Sequence, residues 1–148
     1  MSTAGKLLKA KNIENVLSVA TDDSVYKALK VMAQANISAV LVKEGDKFVG
    51  IFTERDYCRK VEIEGKRTED ALVKEVMTVD MITVSPKTTV NECMGLMMKY
   101  HIRHLPVVQE NHIVGVLSMR DIIEEVLEHK DSVIAQLENF ITANSFES

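Results

Sequence analysis

The sequence predicts an α/β (α+β) protein: two β-α-β-β-α repeats packed as a pseudo-twofold pair, followed by a long C-terminal helical extension. Three observations predict it. First, Gly50-Ile51-Phe52-Thr53-Glu54-Arg55-Asp56 returns as Gly115-Val116-Leu117-Ser118-Met119-Arg120-Asp121, offset by 65 residues with no gap. Nine of the forty aligned positions 18–57 are identical, against roughly two or three at ordinary composition. Second, both copies run through the same order of strand-like and helix-like apolar periodicity. Third, 148 residues suffice for one ordinary domain, whereas a half of about 60 residues is marginal alone, so the copies fold as one unit.

Each element has its own signal. Residues 6–16 read as a short amphipathic lead-in and 16–20 as a first strand. Asp22, Asp23 and Ser24 supply N-cap chemistry for a helix whose Val25, Ala28, Leu29 and Met32 fall at i, i+3, i+4, i+7, and Asn36 stops it. Segments 39–44 and 47–52, separated by Gly45-Asp46, read as a tight antiparallel hairpin. A second helix runs from about 54 to 62 and ends near Gly65.

The second copy repeats the order. Its strand is 81–84, and Thr89 with Glu92 forms a capping box before the stripe Val90, Cys93, Met94 and Met97. Its hairpin joins 105–109 to 112–117. A charged connector, 64–70, and the segment 71–77 link the copies, dividing the chain into 1–78 (lead-in, first repeat, connector) and 79–148 (second repeat and C-terminal helix). After Asp121 the apolar stripe Ile122, Ile123, Val126, Leu127, Val133, Ile134, Leu137, Phe140 and Ile141 has no counterpart in the first copy. It exceeds what one small layer needs, which points to a homodimer contact, with capping of the pair's edge as the alternative.

Composition narrows the function classes. A net charge of −4 argues against general nucleic-acid binding, which needs a basic field. No apolar stretch is long enough to span a bilayer, and the N-terminal region lacks the apolar run of a signal peptide. Cys58 and Cys93 have no metal or disulfide spacing, with Cys93 on a core-facing stripe. A cytoplasmic location without membrane partners is expected. His101 and His104 lack a third ligand at suitable spacing, so no metal is expected. There is no Gly-x-Ser-x-Gly, no glycine-rich phosphate loop, no Cys–His nucleophile context and no paired carboxylates, so no enzyme is expected.

The duplicated Gly-x-x-[Thr/Ser]-x-Arg-Asp supports two readings. Thr53…Asp56 and Ser118…Asp121 both satisfy a helix capping box, which accounts for the hydroxyl and the carboxylate. The repeated Gly and Arg fit a ligand site instead: an exposed helix N-terminus favours an anion, Arg strengthens a phosphate contact, and a carboxylate accepts from ribose hydroxyls.

The tandem resembles a pair of CBS domains, a Bateman module. The resemblance is carried by the two Gly-to-Asp motifs, by 102–108 (Ile102-Arg103-His104-Leu105-Pro106-Val107-Val108) and by 73–78 (Val73-Lys74-Glu75-Val76-Met77-Thr78). Residues 53–60 look most like those of stand-alone pairs, and the likeness covers about residues 5–142. It implies a non-catalytic regulatory module with two clefts between the repeats, each able to hold an adenosine nucleotide: AMP first, with ADP, ATP or NAD as alternatives, and no required cofactor. By the same resemblance Asp56 and Asp121 hold ribose hydroxyls, while Thr53 with Arg55, and Ser118 with Arg120, face phosphate. Adenine would lie against Leu17, Ile37, Ser38 and Ala39 in the Asp121 cleft, and against Ile82, Ile102 and His104 in the Asp56 cleft. Arg103 and His104, which replace Ser38 and Ala39, approach the phosphates of the Asp121 cleft and make the two affinities unequal. The implied partner is an unidentified regulated protein. The competing function is a structural interaction or dimerisation module with no nucleotide.

Overall fold

The computed structural model describes residues 2–11 and 16–145, the side chains of 133, 140 and 143–145 excepted. Helix α1 (Ala4–Lys11) is followed by strand β1 (Ser18–Ala20), helix α2 (Val25–Ala35) and the hairpin β2 (Ala39–Glu44) and β3 (Lys47–Thr53). Helix α3 (Glu54–Tyr57) runs directly into a π-helical turn (Cys58–Glu62), and a short α4 (Val73–Val76) ends the connector. The second half comprises α5 (Val90–Tyr100), β4 (His104–Gln109), β5 (His112–Ser118) and the long α6 (Met119–Ser145). Of the expected lead-in 6–16, residues 12–15 lie outside the described residues.

The local signals act as their chemistry dictates. Ser24 accepts from the Lys27 amide and caps α2, and Thr89 and Glu92 exchange the two bonds of a capping box on α5. Asn36 and His101 end these helices in the left-handed region, at φ 55° and 54°. The hairpin turns follow: Gly45 at φ 64° in the first copy, Glu110 and Asn111 at 50° and 64° in the second. Both hairpins carry a one-residue bulge just before the motif glycine, since Val42 faces Gly50 but Lys43 faces Phe48, and Val107 faces Gly115 but Val108 faces Ile113.

The structure departs from the sequence pattern in two places. The helix expected over 54–62 is α-helical only to Tyr57 and then widens, so that the Ile63 amide bonds the Cys58 carbonyl. The strand expected at 81–84 shrinks to a single parallel bridge, Val84 to Val107. Val84 donates to the Pro106 carbonyl at 3.0 Å and accepts from Val108 at 2.7 Å. The next rung would need an N–H from residue 106, and proline has none. In the first copy Leu41 stands at that place, and β1 pairs with β2 over three residues.

The two hydrophobic cores exchange their lead-ins. Helix α1 precedes the first repeat, yet Ala4 and Leu7 pack with Val84, Val90, Cys93, Met97, Leu105 and Leu117 of the second. The segment Ala71, Val73 and Val76 precedes the second repeat and packs with Val19, Val25, Met32, Val42 and Phe52 of the first. Equivalent backbone bonds hold the two exchanges: Val25 to the Ala71 carbonyl at 2.8 Å, Val90 to the Ser2 carbonyl at 3.1 Å. The motif glycines make room for them. A Cβ on Gly50 would meet Met77 Sδ and the Thr78 carbonyl at 2.9 Å, and one on Gly115 would meet Leu8 Cδ2 at 2.8 Å. Neither glycine has positive φ, so close approach rather than backbone freedom requires them.

Gly50→Ala is therefore expected to cost about 1–3 kcal/mol, because a backbone carbonyl cannot rotate away. Gly115→Ala meets only the end of a leucine and should cost less. Urea unfolding of the two variants checks the order, and equal midpoints would contradict it.

Candidate functional site

The two motifs form the same capping geometry. The Thr53 amide donates to Asp56 Oδ2 and the Asp56 amide to Thr53 Oγ1, both at 3.1 Å. The Ser118 amide donates to Asp121 Oδ2 at 2.8 Å and the Asp121 amide to Ser118 Oγ at 3.2 Å. Capping thus fixes both carboxylates at the first turn of their helices, where the hairpin hands over to the helix.

Their remaining partners differ. Asp56 is the buried charged residue of the core. Thr78 Oγ1 donates to it at 3.0 Å, and Lys60 Nζ, four residues on, lies 2.9 Å from Oδ1. Asp121 receives Lys11 Nζ from α1 on Oδ2 at 2.8 Å, with side chains 28% and 16% exposed. Among the described residues, Oδ1 of Asp121 accepts no hydrogen bond.

The repeated arginines also part ways. Arg55 reaches across to the other repeat and donates to the His101 carbonyl. Arg120 stays on its own helix, exposed, and pairs with Glu124 at 3.0 Å. Glu124, four residues on, holds Arg120 on its own helix.

A cleft of about 180 Å³ opens at the junction of the repeats. Thr53, Arg55, Asp56 and Thr78 line one side, and Ile82, Ile102, Arg103 and His104 the other, with Ser38 between them. It gathers every residue expected at the Asp56 cleft. Ser38 and Arg103, expected at the Asp121 cleft, line this one as well. Leu17, Ile37, Ala39, Ser118, Arg120 and Asp121 do not line it. Leu17 is exposed, and Ile37 packs on the first core.

His104 sits where the halves meet. Its Nε2 lies 2.8 Å from Ser38 Oγ, which ties equivalent turns of the two repeats together. Burial, and then the positive charges of Lys11 and Arg103, pushes its pKa down to about 4 despite Asp121. The imidazole is neutral at physiological pH. It offers the cleft a hydrogen-bonding edge, not a charge.

Two contributors were missed in the motif reading. Lys11 and Thr78 hold the carboxylates from 110 and 22 residues away, and no local pattern marks them. Lys60, with Arg59 a candidate cation for the phosphate of the Asp56 cleft, instead pairs with the Asp56 carboxylate at i+4 spacing, and neither lines the cleft.

The family model for the CBS domain matches the chain twice, over residues 10–62 and 73–128. The chain belongs to the CBS-domain family. It is 40% identical over 119 residues to the CBS domain-containing protein CBSX3, mitochondrial, of Arabidopsis thaliana, a match covering 76% of this chain. The crystal structure of the CBS domain NE2398 superposes with a TM-score of 0.81 at 38% identity, covering 85% of this chain and 98% of that one. The CBS domain protein PAE2072 from Pyrobaculum aerophilum, solved with AMP, shares the fold at a TM-score of 0.70 and 22% identity, covering 85% and 98%. The chain spans about half the length of the curated relatives it matches, 58% and 54% for two of them.

The His104 geometry has a pH signature. The unfolded state, with a pKa near 6.5, takes up the proton first, so stability is full above pH 6.5 and falls as pH drops toward 4. The loss attributable to this ring should be about 2 kcal/mol after allowance for solvent reaching it. Urea unfolding at pH 7 and pH 4.5, wild type against His104→Gln, isolates it. Parallel losses in the two proteins would refute the assignment.

Proposed function

We propose that this chain is a non-catalytic regulatory module that binds an adenosine nucleotide between its repeats and reports occupancy to a regulated protein. AMP is the first candidate, with ADP, ATP and NAD as alternatives. One observation carries the reading: a hydroxyl, a guanidinium and a carboxylate from one repeat face apolar and imidazole groups of the other across a single cleft. The first set suits ribose and phosphate; Ile82 and Ile102 suit the face of a base. A volume of about 180 Å³ is below the roughly 300 Å³ at which small-molecule sites begin. The cleft therefore encloses part of a nucleotide and widens, or lets the rest project, on binding.

The two halves bind unequally in this reading. Asp56 already has three kinds of donor, whereas among the described residues one oxygen of Asp121 accepts no hydrogen bond. Occupancy moves the repeats only as far as the ligand prefers one arrangement over another. The saturation of Asp56 favours the second reading, an interaction module whose motifs serve capping alone.

The partner surface is α6. Ile122 is buried and Val126 packs on the second core, while Ile123, Leu127, Ile134, Leu137 and Ile141 are 49–65% exposed. Their three-, four- and seven-residue steps form one seam, the pattern with which a helix meets another helix. Val133 and Phe140 of the expected stripe lie outside the described side chains. We assign this seam to a homodimer. No helix among the described residues is long and apolar enough to cross a membrane. Two free cysteines fit a reducing compartment, cytoplasmic in this proposal, although the named Arabidopsis relative is mitochondrial.

Thermal unfolding with AMP, ADP, ATP and NAD tests the ligand. At 100 times its dissociation constant a bound nucleotide adds about 2.7 kcal/mol. Asp56→Ala and Asp121→Ala should each weaken one of two distinguishable sites by roughly 1.5–3 kcal/mol. No shift with any nucleotide hands the function to the interaction module. Sedimentation tests the seam: wild type should be a dimer and Ile134→Glu with Leu137→Glu a folded monomer, and a monomeric wild type removes the assignment.

A further inference from the structure

In each half a lysine ties the motif carboxylate to the exchanged lead-in, with opposite wiring. In the second half the cation comes from the lead-in itself. Lys11, the last residue of α1, donates to Asp121 Oδ2 at 2.8 Å and to the Val116 carbonyl of β5 at 3.2 Å. In the first half it comes from the repeat. Lys60 pairs with Asp56 at 2.9 Å and donates to the carbonyl of Val76, the last residue of α4, at 3.1 Å. Both carboxylates assigned to ribose are thus already engaged by ammonium groups, one carried by the exchanged helix itself (Lys11) and one that also holds the end of the exchanged helix (Lys60).

Helix α1 has eight residues, too few to persist by propensity alone. Ala4, Leu7 and Leu8 pack its body against the second core, and Lys11 pins its C-terminal end. Lys11 and the Ser118 amide share Oδ2 of Asp121, and a ribose diol, whose two hydroxyls take both carboxylate oxygens, competes with the ammonium there.

We propose that Lys11 is a ligand-displaced latch: a ribose at Asp121 expels the ammonium, unpins α1, and so carries occupancy out of the cleft. The proposal rests on the reading of Asp121 as a ribose acceptor. Linkage makes it testable in both directions, because a ligand that weakens docking of α1 binds more tightly when α1 is already undocked, by the same factor. Displacement acts on the ribose, so adenosine and AMP gain alike. A lysine that contacted phosphate would instead matter for AMP alone.

The test uses Lys11→Met, which keeps the apolar stem, and Lys11→Arg, which keeps the charge. Hydrogen exchange of the amides in 4–11 should quicken about fivefold in Lys11→Met without ligand, a factor typical of one ion pair, and stay near wild type in Lys11→Arg. Saturating AMP should quicken the same amides in wild type. Calorimetry should show Lys11→Met binding adenosine and AMP about fivefold more tightly. Weaker binding of AMP with adenosine unchanged overturns the latch and makes Lys11 a phosphate contact. Retained binding with exchange in 4–11 unmoved by AMP also overturns it, leaving the nucleotide reading intact. No binding of either ligand, to wild type or variant, defeats the nucleotide reading and the latch with it.

Discussion

The structure depends on the exchange of lead-in segments between two half-sized cores. A half of this size is marginal alone, and each core takes in a piece of chain that precedes its neighbour. The exchange demands close approach at one place per repeat, where Met77-Thr78 crosses Gly50 and Leu8 crosses Gly115. Everything near the cleft follows from that. The crossing segments bring Thr78 to Asp56 and Lys11 to Asp121.

The site is therefore built from structural parts. Each carboxylate caps a helix before it could meet a ligand, and each already holds a lysine. The Asp56 carboxylate holds three donors, whereas at Asp121 the donors gather on Oδ2. A neutral His104 bonded to Ser38 joins the repeats at the same place, so groups that stabilise the pair and groups that would read a ligand are largely the same atoms. Capping and ligand binding, opposed as readings of the motif, are compatible uses of one carboxylate with four acceptor positions.

Local chemistry was legible wherever the partner lay within a few residues. Capping by Ser24, Thr53, Thr89 and Ser118, the left-handed Asn36, and the hairpins are all short-range events. The strand expected at 81–84 failed for a reason also written in the chain, since Pro106 withholds the rung it needs, but only the pairing register reveals which rung that is. The repeated glycines were read as part of a ligand site, and in the structure they make space for a crossing segment.

By itself the sequence determined the duplication, the order of elements, the caps, and the gathering of Thr53, Arg55 and Asp56 at one helix start, because each depends on spacing along the chain. Only the tertiary structure decided that α1 serves the second half, that Lys11 occupies Asp121 across 110 residues, and that Ser38 and Arg103 share the Asp56 cleft. Those outcomes follow from which halves exchange which segments. Such a choice is made by packing between distant parts of the chain, and no local periodicity encodes it.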